Sequence, residues 1–380
     1  MDYQQRSIEL HKKYGGKLRV NSTIEIKNVE DLSLAYSPGV AGPCLEIAKD
    51  ESTYKELTSM GKTIAVISDG SAVLGLGNIG PKAAMPVMEG KAALFREFSG
   101  LNSIPLVLDT QDTQEIIQAI ERIAPSFGGI NLEDISAPRC FEIEEELKKR
   151  LPIPVFHDDQ HGTAIVTLAG IINYARLSKK EVKDMKIVIN GAGAAGVAIA
   201  KLLNLFGVKD IVICDSKGII SKSRQDLNSM KQSILEFTNT SNISGSVFDA
   251  ITGADVFIGV SVGNLLKKED IALMNKDPAV FAMANPIPEI MPDLAKSAGV
   301  LVIGTGRSDF PNQLNNVLVF PGIFKGAIES GARDITDEMK VKAAQGLAHL
   351  ISDEELHSDY IIPNPFDKRV VEAVAQAVKE

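Results

Sequence analysis

An α/β fold in two domains, the second a doubly wound parallel sheet of the Rossmann-like type, is what this sequence predicts. Three observations carry that expectation. The run Lys186-Ile187-Val188-Ile189-Asn190 feeds into Gly191-Ala192-Gly193-Ala194-Ala195-Gly196, and an Ala/Leu-rich stretch without proline follows. Strand and helix signals then alternate through 186–304, the pattern of a parallel sheet with helices on both faces. The 380 residues are too many for one ordinary core.

The first half is read in order as follows. Residues 63–70 form a buried strand leading to a turn. Residues 103–109 form another, with Pro105 near its start, where a strand tolerates proline best. Ile116, Ile117, Ile120 and Ile123 recur at helical spacing within 111–123. Residues 129–135 are short and strand-like. Residues 140–150 are acidic early and basic late, which suits a helix dipole. A proline-framed strand over 152–156 ends at His157-Asp158-Asp159. A long apolar helix is expected over 162–177, and the domain boundary is placed just before it. Residues 1–160 then make an N-terminal α/β domain, and 161–380 the Rossmann-like domain with C-terminal helices. Later strands are expected at 186–190, 210–215, 254–260, 279–284 and 299–304, and 334–380 reads as mostly helical.

Composition narrows the partners. The net charge of −9 gives no attraction to nucleic acid or anionic lipid, so neither is expected as a partner. Cys44, Cys140 and Cys214 are odd in number and lack C-x-x-C spacing, so buried reduced thiols in a reducing compartment are expected. The charged start, 1–18, has no apolar signal-peptide core. The uncharged stretches 162–175 and 187–200 fall short of the ~20 residues that a membrane helix needs. A cytoplasmic protein is the expectation.

The G-x-G-x-x-G spacing occurs twice. Gly191, Gly193 and Gly196 let the backbone approach a pyrophosphate. The helix start at Ala194 and Ala195 offers free N–H groups and a positive dipole end. The strand 211–214 ends at Asp215, at the separation of roughly 20 residues expected of a ribose-binding acid. A carboxylate there favours NAD, because it repels the extra phosphate of NADP; Lys217 and Lys222 close by leave NADP possible. The other copy, Gly75-Leu76-Gly77-Asn78-Ile79-Gly80, is followed by Pro81 and Pro86, so no long uninterrupted helix is expected after it. Pro81 also stands where a P-loop would need lysine, which leaves a structural or substrate-shaping loop.

Two acidic doublets, Glu133-Asp134 and Asp158-Asp159, end apolar strands, on the side of an α/β sheet where ligands bind. Carboxylate oxygens suit Mg²⁺ or Mn²⁺. The same acids could instead cap the helices that follow. His157-Asp158-Asp159-Gln160-His161 imitates the zinc motif H-E-x-x-H, but its acid is aspartate and a strand delivers His157, so loop histidines are expected rather than zinc.

Several of these segments resemble malic enzyme. They are Ala35-Tyr36-Ser37-Pro38-Gly39-Val40-Ala41, Ser68-Asp69-Gly70-Ser71-Ala72-Val73-Leu74-Gly75-Leu76-Gly77-Asn78, Pro86-Val87-Met88-Glu89-Gly90-Lys91, His157-Asp158-Asp159-Gln160-His161-Gly162-Thr163-Ala164, Ala284-Asn285-Pro286 and Asn315-Asn316-Val317-Leu318-Val319-Phe320-Pro321-Gly322. They occur in order from Tyr36 to Gly322 and are closest to the short prokaryotic-type forms, which lack an extra C-terminal acyltransferase-like domain. The resemblance implies that 1–160 is a substrate and catalytic domain, and that (S)-malate and NAD(P)⁺ give pyruvate, CO₂ and NAD(P)H. It implies Glu133, Asp134 and Asp159 as metal ligands, choosing Asp159 over Asp158. It implies Lys91 as the base at the C2 hydroxyl, Tyr36 as the acid that protonates the enol carbon, and Asn285 and Asn316 as substrate contacts. A homodimer is implied as well.

The chemistry suits these groups. Hydride leaves C2 only as the hydroxyl loses a proton, and a lysine can take that proton where burial or a nearby cation lowers its pKa. A divalent ion stabilises the enolate left when CO₂ departs. Larger relatives carry an Asp-Gly-x-Arg segment whose arginine binds a substrate carboxylate. Here it reads Asp69-Gly70-Ser71-Ala72, so Ser71, backbone N–H groups or another residue must do so. Two other functions compete: malolactic-type decarboxylation of malate to lactate without net redox, and a non-catalytic NAD-binding subunit, which should lack a crucial residue.

Overall fold

Ten strands form two separate sheets in the computed structural model, which describes residues 3–73 and 75–379. Leu74 of the 68–78 motif and Met1 of the charged start lie outside the described residues. The first sheet holds β1 (Thr63–Ser68), β2 (Asn102–Val107), β3 (Gly129–Leu132) and β4 (Val155–His157) in the order β2-β1-β3-β4, all parallel. β1 is buried along its whole length, so its sequence shows a continuous apolar run instead of alternation. Pro105 sits in the middle of β2, not near its start. It is tolerated because β2 is an edge strand.

The expectation that no long helix follows the first glycine loop is overturned. A helix, Pro81–Leu94, begins directly after Gly80 and continues through Pro86. Pro81 occupies its first turn, where the missing N–H has no intrahelical partner to lose. Pro86, the sixth residue, forgoes the bond an N–H there would give to Lys82 O, and the helix nevertheless carries on past it. This continuation matters, because Lys91 lies five residues beyond Pro86.

The second sheet is ordered β10-β9-β8-β5-β6-β7, with β5 (Lys186–Asn190), β6 (Asp210–Asp215), β7 (Gly218–Ile219), β8 (Val256–Gly259), β9 (Ala279–Ala282) and β10 (Val302–Thr305). Only β7 runs antiparallel. The chain leaves β5 towards β6 on one side and returns to β8 on the other. The ends of β5 and β8 therefore form a topological switch point, where a crevice opens.

The helix Asp158–Ser178 lies between the two sheets. Fifteen of its 21 residues are buried, and it belongs to one apolar core that takes in Ile64, Phe95 and Phe156 from the first half and Ile187, Ile258 and Phe281 from the second. Its Tyr174 hydroxyl donates to Asp277 O at 2.8 Å, and Asn173 Nδ2 donates to Ala348 O and Ile361 O at 2.9 Å each. It starts at Asp158, four residues earlier than expected, so the 160/161 boundary falls in its first turn.

The C-terminal helices Phe320–Ser330, Asp337–Ala348 and Arg369–Lys379 pack around this core, and 349–368 between the last two is irregular. None of residues 3–60 is buried, so that segment has no core of its own. Cys44 lies there and is exposed, against the expectation of three buried thiols, while Cys140 and Cys214 are buried. Among the described residues, no helix is long and apolar enough to cross a membrane.

Candidate active site

The carboxyl ends of β3 and β4 bring the acidic doublets together. Ligand atoms of Glu133, Asp134 and Asp159 all lie within 4.8 Å of one another. Asp134 follows β3 with φ of 54°, a left-handed conformation that aspartate tolerates better than most residues. Its N–H donates to Asp159 Oδ2 at 2.7 Å, which ties the two doublets together. Asp158 and Asp159 occupy the first turn of the central helix, where the dipole favours negative charge; neither is its N-cap, which is His157.

Lys91 projects into this cluster from the Pro81–Leu94 helix and is buried. Its Nζ lies 2.9 Å from Glu133 Oε1, contacts Asp158 Oδ2, and sits 4.1 Å from the centroid of the Phe320 ring. Burial alone would lower its pKa. The charges of Asp158 and Glu133 overcome that and raise it, keeping Lys91 an ammonium ion. The lowered pKa expected of a base is therefore absent in the chain by itself. Burial raises the carboxyls of Glu133 and Asp158 to about 7 despite the nearby lysine, and raises Asp159 as well.

The remaining expected substrate contacts are placed differently from one another. A Cβ at Gly162 would stand 1.9 Å from Asp158 Oδ1 and 2.9 Å from Asn316 Cβ, so glycine is required and Asn316 borders the acid cluster. Asn285 follows β9 and its carbonyl lies against Gly75, joining the two halves of the chain. Tyr36 is 70 % exposed on the N-terminal segment, and no described contact links it to Lys91 or the acids.

The zinc motif dissolves in the fold. His157 is in β4, where burial lowers it to about 4 and keeps it neutral; His161 is in the helix, its Nε2 2.8 Å from Glu144 Oε2. Neither is a loop residue.

Three groups escaped the sequence reading. Glu144 accepts from the His157 N–H at 3.0 Å and the Gln160 amide at 3.2 Å, fixing the turn that carries both aspartates. Arg139 Nη2 lies 3.0 Å from Ser71 Oγ, Asp69 Oδ2 and Ser136 Oγ, which puts a guanidinium beside the segment that lacks arginine. Asp158 holds the lysine. Only the acidic doublet itself hinted at any of these.

The second glycine turn lies at the switch point. Gly191 has φ of 128°, and a Cβ at Gly196 would stand 1.8 Å from Gly191 O. At Gly193 an added Cβ would meet nothing within 4 Å, so that face of the backbone is open. No side chain caps the Ala194–Phe206 helix, which leaves the N–H groups of its first turn for a ligand. The Gly191 N–H donates to Cys214 O at 2.9 Å, so the turn abuts the end of β6, where Asp215 stands.

An open dinucleotide turn at a switch point, with a buried carboxylate cluster and lysine nearby, defines a metal-assisted, nicotinamide-dependent α/β oxidoreductase as the class. The chain belongs to the malic enzyme family: it matches the family's N-terminal domain over 15–148 and its NAD-binding domain over 160–380. It is 56% identical to the bifunctional malic/malolactic enzyme of Bacillus subtilis, spanning 100% of this chain and 92% of that one. It is also 56% identical to the NAD-dependent malic enzyme of Geobacillus stearothermophilus, over 96% and 76%. The crystal structure of the NAD-dependent malic enzyme of Thermotoga maritima superimposes with a TM-score of 0.95 at 46% identity, covering 100% of this chain and 99% of that one.

Proposed function

We infer that this chain catalyses the metal-dependent oxidative decarboxylation of (S)-malate to pyruvate and CO₂ with reduction of NAD(P)⁺. The observation that carries the reading is the set of Glu133 and Asp134, buried, and Asp159, half-buried, with Lys91 Nζ 2.9 Å from Glu133. Three crowded carboxylates, those of Glu133 and Asp134 buried and that of Asp159 half-buried, with Glu133 and Asp159 raised by burial, fit a hard divalent cation, Mg²⁺ or Mn²⁺. When bound, the cation supplies Lewis acidity at the substrate oxygen, and NAD(P)⁺ accepts the hydride.

The chain's own groups divide the proton work. Lys91 takes the C2 hydroxyl proton once the negative charge that holds it as ammonium is neutralised by a cation among the acids. Asp158 orients its Nζ, and the Phe320 ring shields that nitrogen from water. Asn285 and Asn316 contact substrate, with Arg139 and Ser71 supplying the carboxylate site that the missing arginine would have made. Gly191, Gly193, Ala194, Ala195 and Gly196 would hold the pyrophosphate of the cofactor, with Asp215 on the adenosine-ribose side. Tyr36 returns the proton to the enol carbon. Since the single chain leaves it exposed, that role requires the N-terminal segment to be docked, which a homodimer would do. The working division is 1–160 for substrate and metal and 161–380 for cofactor, in a cytoplasmic enzyme.

The test is reduced-nicotinamide absorbance with malate and Mn²⁺, with NAD⁺ or NADP⁺, a chelator control and a pyruvate assay. Chelator-sensitive signal with pyruvate is expected; no signal in either cofactor would refute oxidation. Asp159→Asn should raise the Mn²⁺ concentration needed for half-maximal rate. The name of the Bacillus subtilis relative gives malolactic chemistry a second place; lactate without net reduced cofactor would establish it.

A further inference from the structure

A cavity of about 510 Å³ lies against the turn that carries Asp158 and Asp159, and it includes none of the groups assigned to malate, metal or cofactor. It opens between the helix Arg139–Arg150 of the first half, the start of the central helix, and the helices Ala194–Phe206 and Asp337–Ala348 of the second half. The volume is in the range of small-molecule sites. Phe141, Leu202 and Leu205 give the wall an apolar side, and Lys148, Lys201 and Lys340 give it a cationic one.

Two of these lysines have acidic partners, and in both pairs the lysine is the deeper group. Lys148 Nζ lies 2.9 Å from Asp334 Oδ1, and its side chain is 22% exposed against 43% for the aspartate. Lys340 Nζ lies 2.8 Å from Asp337 Oδ1, at 6% against 73%. The acids thus stand towards the rim in water, with the ammonium groups inside. Lys201 has no acidic partner among the described residues. Lys149 and Glu145 pair with each other at the surface. On the floor, the buried Glu144 is already occupied by the His157 N–H, the Gln160 amide and His161. An entering anion therefore meets three ammonium groups, whereas an entering cation meets carboxylates that are solvated or already taken.

Glu144 links this cavity to the acid cluster, because it fixes the turn of the two aspartates. Burial would raise its carboxyl, but His161 and Lys340 outweigh that and hold it at about 2. Negative charge on the cationic wall offsets a positive field that a divalent cation among Glu133, Asp134 and Asp159 would otherwise feel.

We propose that this cavity is an effector site for a small monocarboxylate with an apolar body, and that its occupancy tightens cation binding at Glu133, Asp134 and Asp159. The carboxylate takes Lys148, Lys201 and Lys340, and the body lies on Phe141, Leu202 and Leu205. The coupling rests on the metal reading of the acid cluster; the binding site does not.

The experiment is calorimetric titration of the full chain with hexanoate, for the natural sequence and for Lys201→Met and Lys148→Met. Acetate, the charge without the body, and hexanol, the body without the charge, are the controls. Hexanoate should bind about tenfold tighter than either control. Each variant should weaken hexanoate by up to about fivefold, the upper worth of a partly exposed ion pair. Equal binding of the three probes, or hexanoate binding unchanged in both variants, overturns the site. Mn²⁺ titrated at saturating hexanoate should bind about fivefold tighter, and Mn²⁺ should tighten hexanoate by the same factor. Mn²⁺ affinity that hexanoate does not move overturns the effector role. No Mn²⁺ binding under either condition overturns the coupling and the metal reading together, while the hexanoate titrations still decide the site.

Discussion

Lys91 shows how a residue's chemistry is set by its neighbours. Buried between Glu133 and Asp158, it is an ammonium ion in the chain alone, and the base role proposed for it needs those charges to be offset. Lys91→Ala should lower malate oxidation by about 10²–10⁴-fold, the usual worth of a positioned base, with NAD(P)⁺ binding unchanged by calorimetry. Wild-type turnover in that variant would exclude the lysine. Glu289 is another buried acid, fully enclosed, with the Ala284 and Ser261 N–H groups (3.1 and 3.4 Å) among the backbone donors to its carboxylate and no cation beside it among the described residues. Burial raises it from 4.5 to about 7. A raised folded-state pKa means that its stabilising share is full below about pH 4.5 and is lost as pH climbs through 7. Glu289→Gln should therefore be more stable than the natural chain at pH 8, by up to about 3 kcal/mol, and show no such gain at pH 4. Equal melting shifts at both pH values would show that the carboxylate is not ionised at a cost.

Among the elements, the central helix Asp158–Ser178 does most to join chemistry to fold. Its first turn carries Asp158 and Asp159, and its buried length spans the space between the sheets. Its start was illegible in the sequence because a proline-framed strand runs straight into it, and its length was blurred because a helix that is apolar all round has no amphipathic period. The Pro81–Leu94 helix was missed for a related reason: two prolines signal a break, yet one sits at the first turn, where it is favourable, and the other is absorbed. The glycine turn was fully legible as a turn, since three glycines between a strand and a helix serve one backbone shape. Gly196→Ala should drive a Cβ to within 1.8 Å of Gly191 O, cost roughly 1–3 kcal/mol and abolish NAD(P)⁺ binding. Binding at natural affinity by calorimetry would show that the turn relaxes.

At the scale of the whole molecule, residues 3–60 expose Val20, Val29, Leu34 and Leu45 at 71–92% and bury nothing. Lys17 ties the segment to Glu89 and Pro86 O, but that much exposed apolar surface fits a partner, and the homodimer proposed above would supply one. Light scattering should give twice the chain mass, and a Leu34→Glu, Leu45→Glu variant should shift it towards one chain and lower turnover together with it. A monomeric natural chain with full activity would exclude the dimer and the proton-donor role of Tyr36 that depends on it.

The sequence by itself determined what is local or strongly periodic: the α/β class, every strand but the two-residue β7 to within a few residues, the glycine turn and the pair of acidic doublets. These depend on neighbours within one turn or one strand, so spacing reports them. Tertiary structure alone decided which charges meet. Lys91 meets Asp158 across 67 positions, Arg139 meets Ser71 across 68, and Arg224 and Lys231 reach Asp215 in place of the nearer Lys217 and Lys222 ammonium groups. Electrostatic roles follow from distance and burial, which the order of residues does not encode until the sheets bring their ends together.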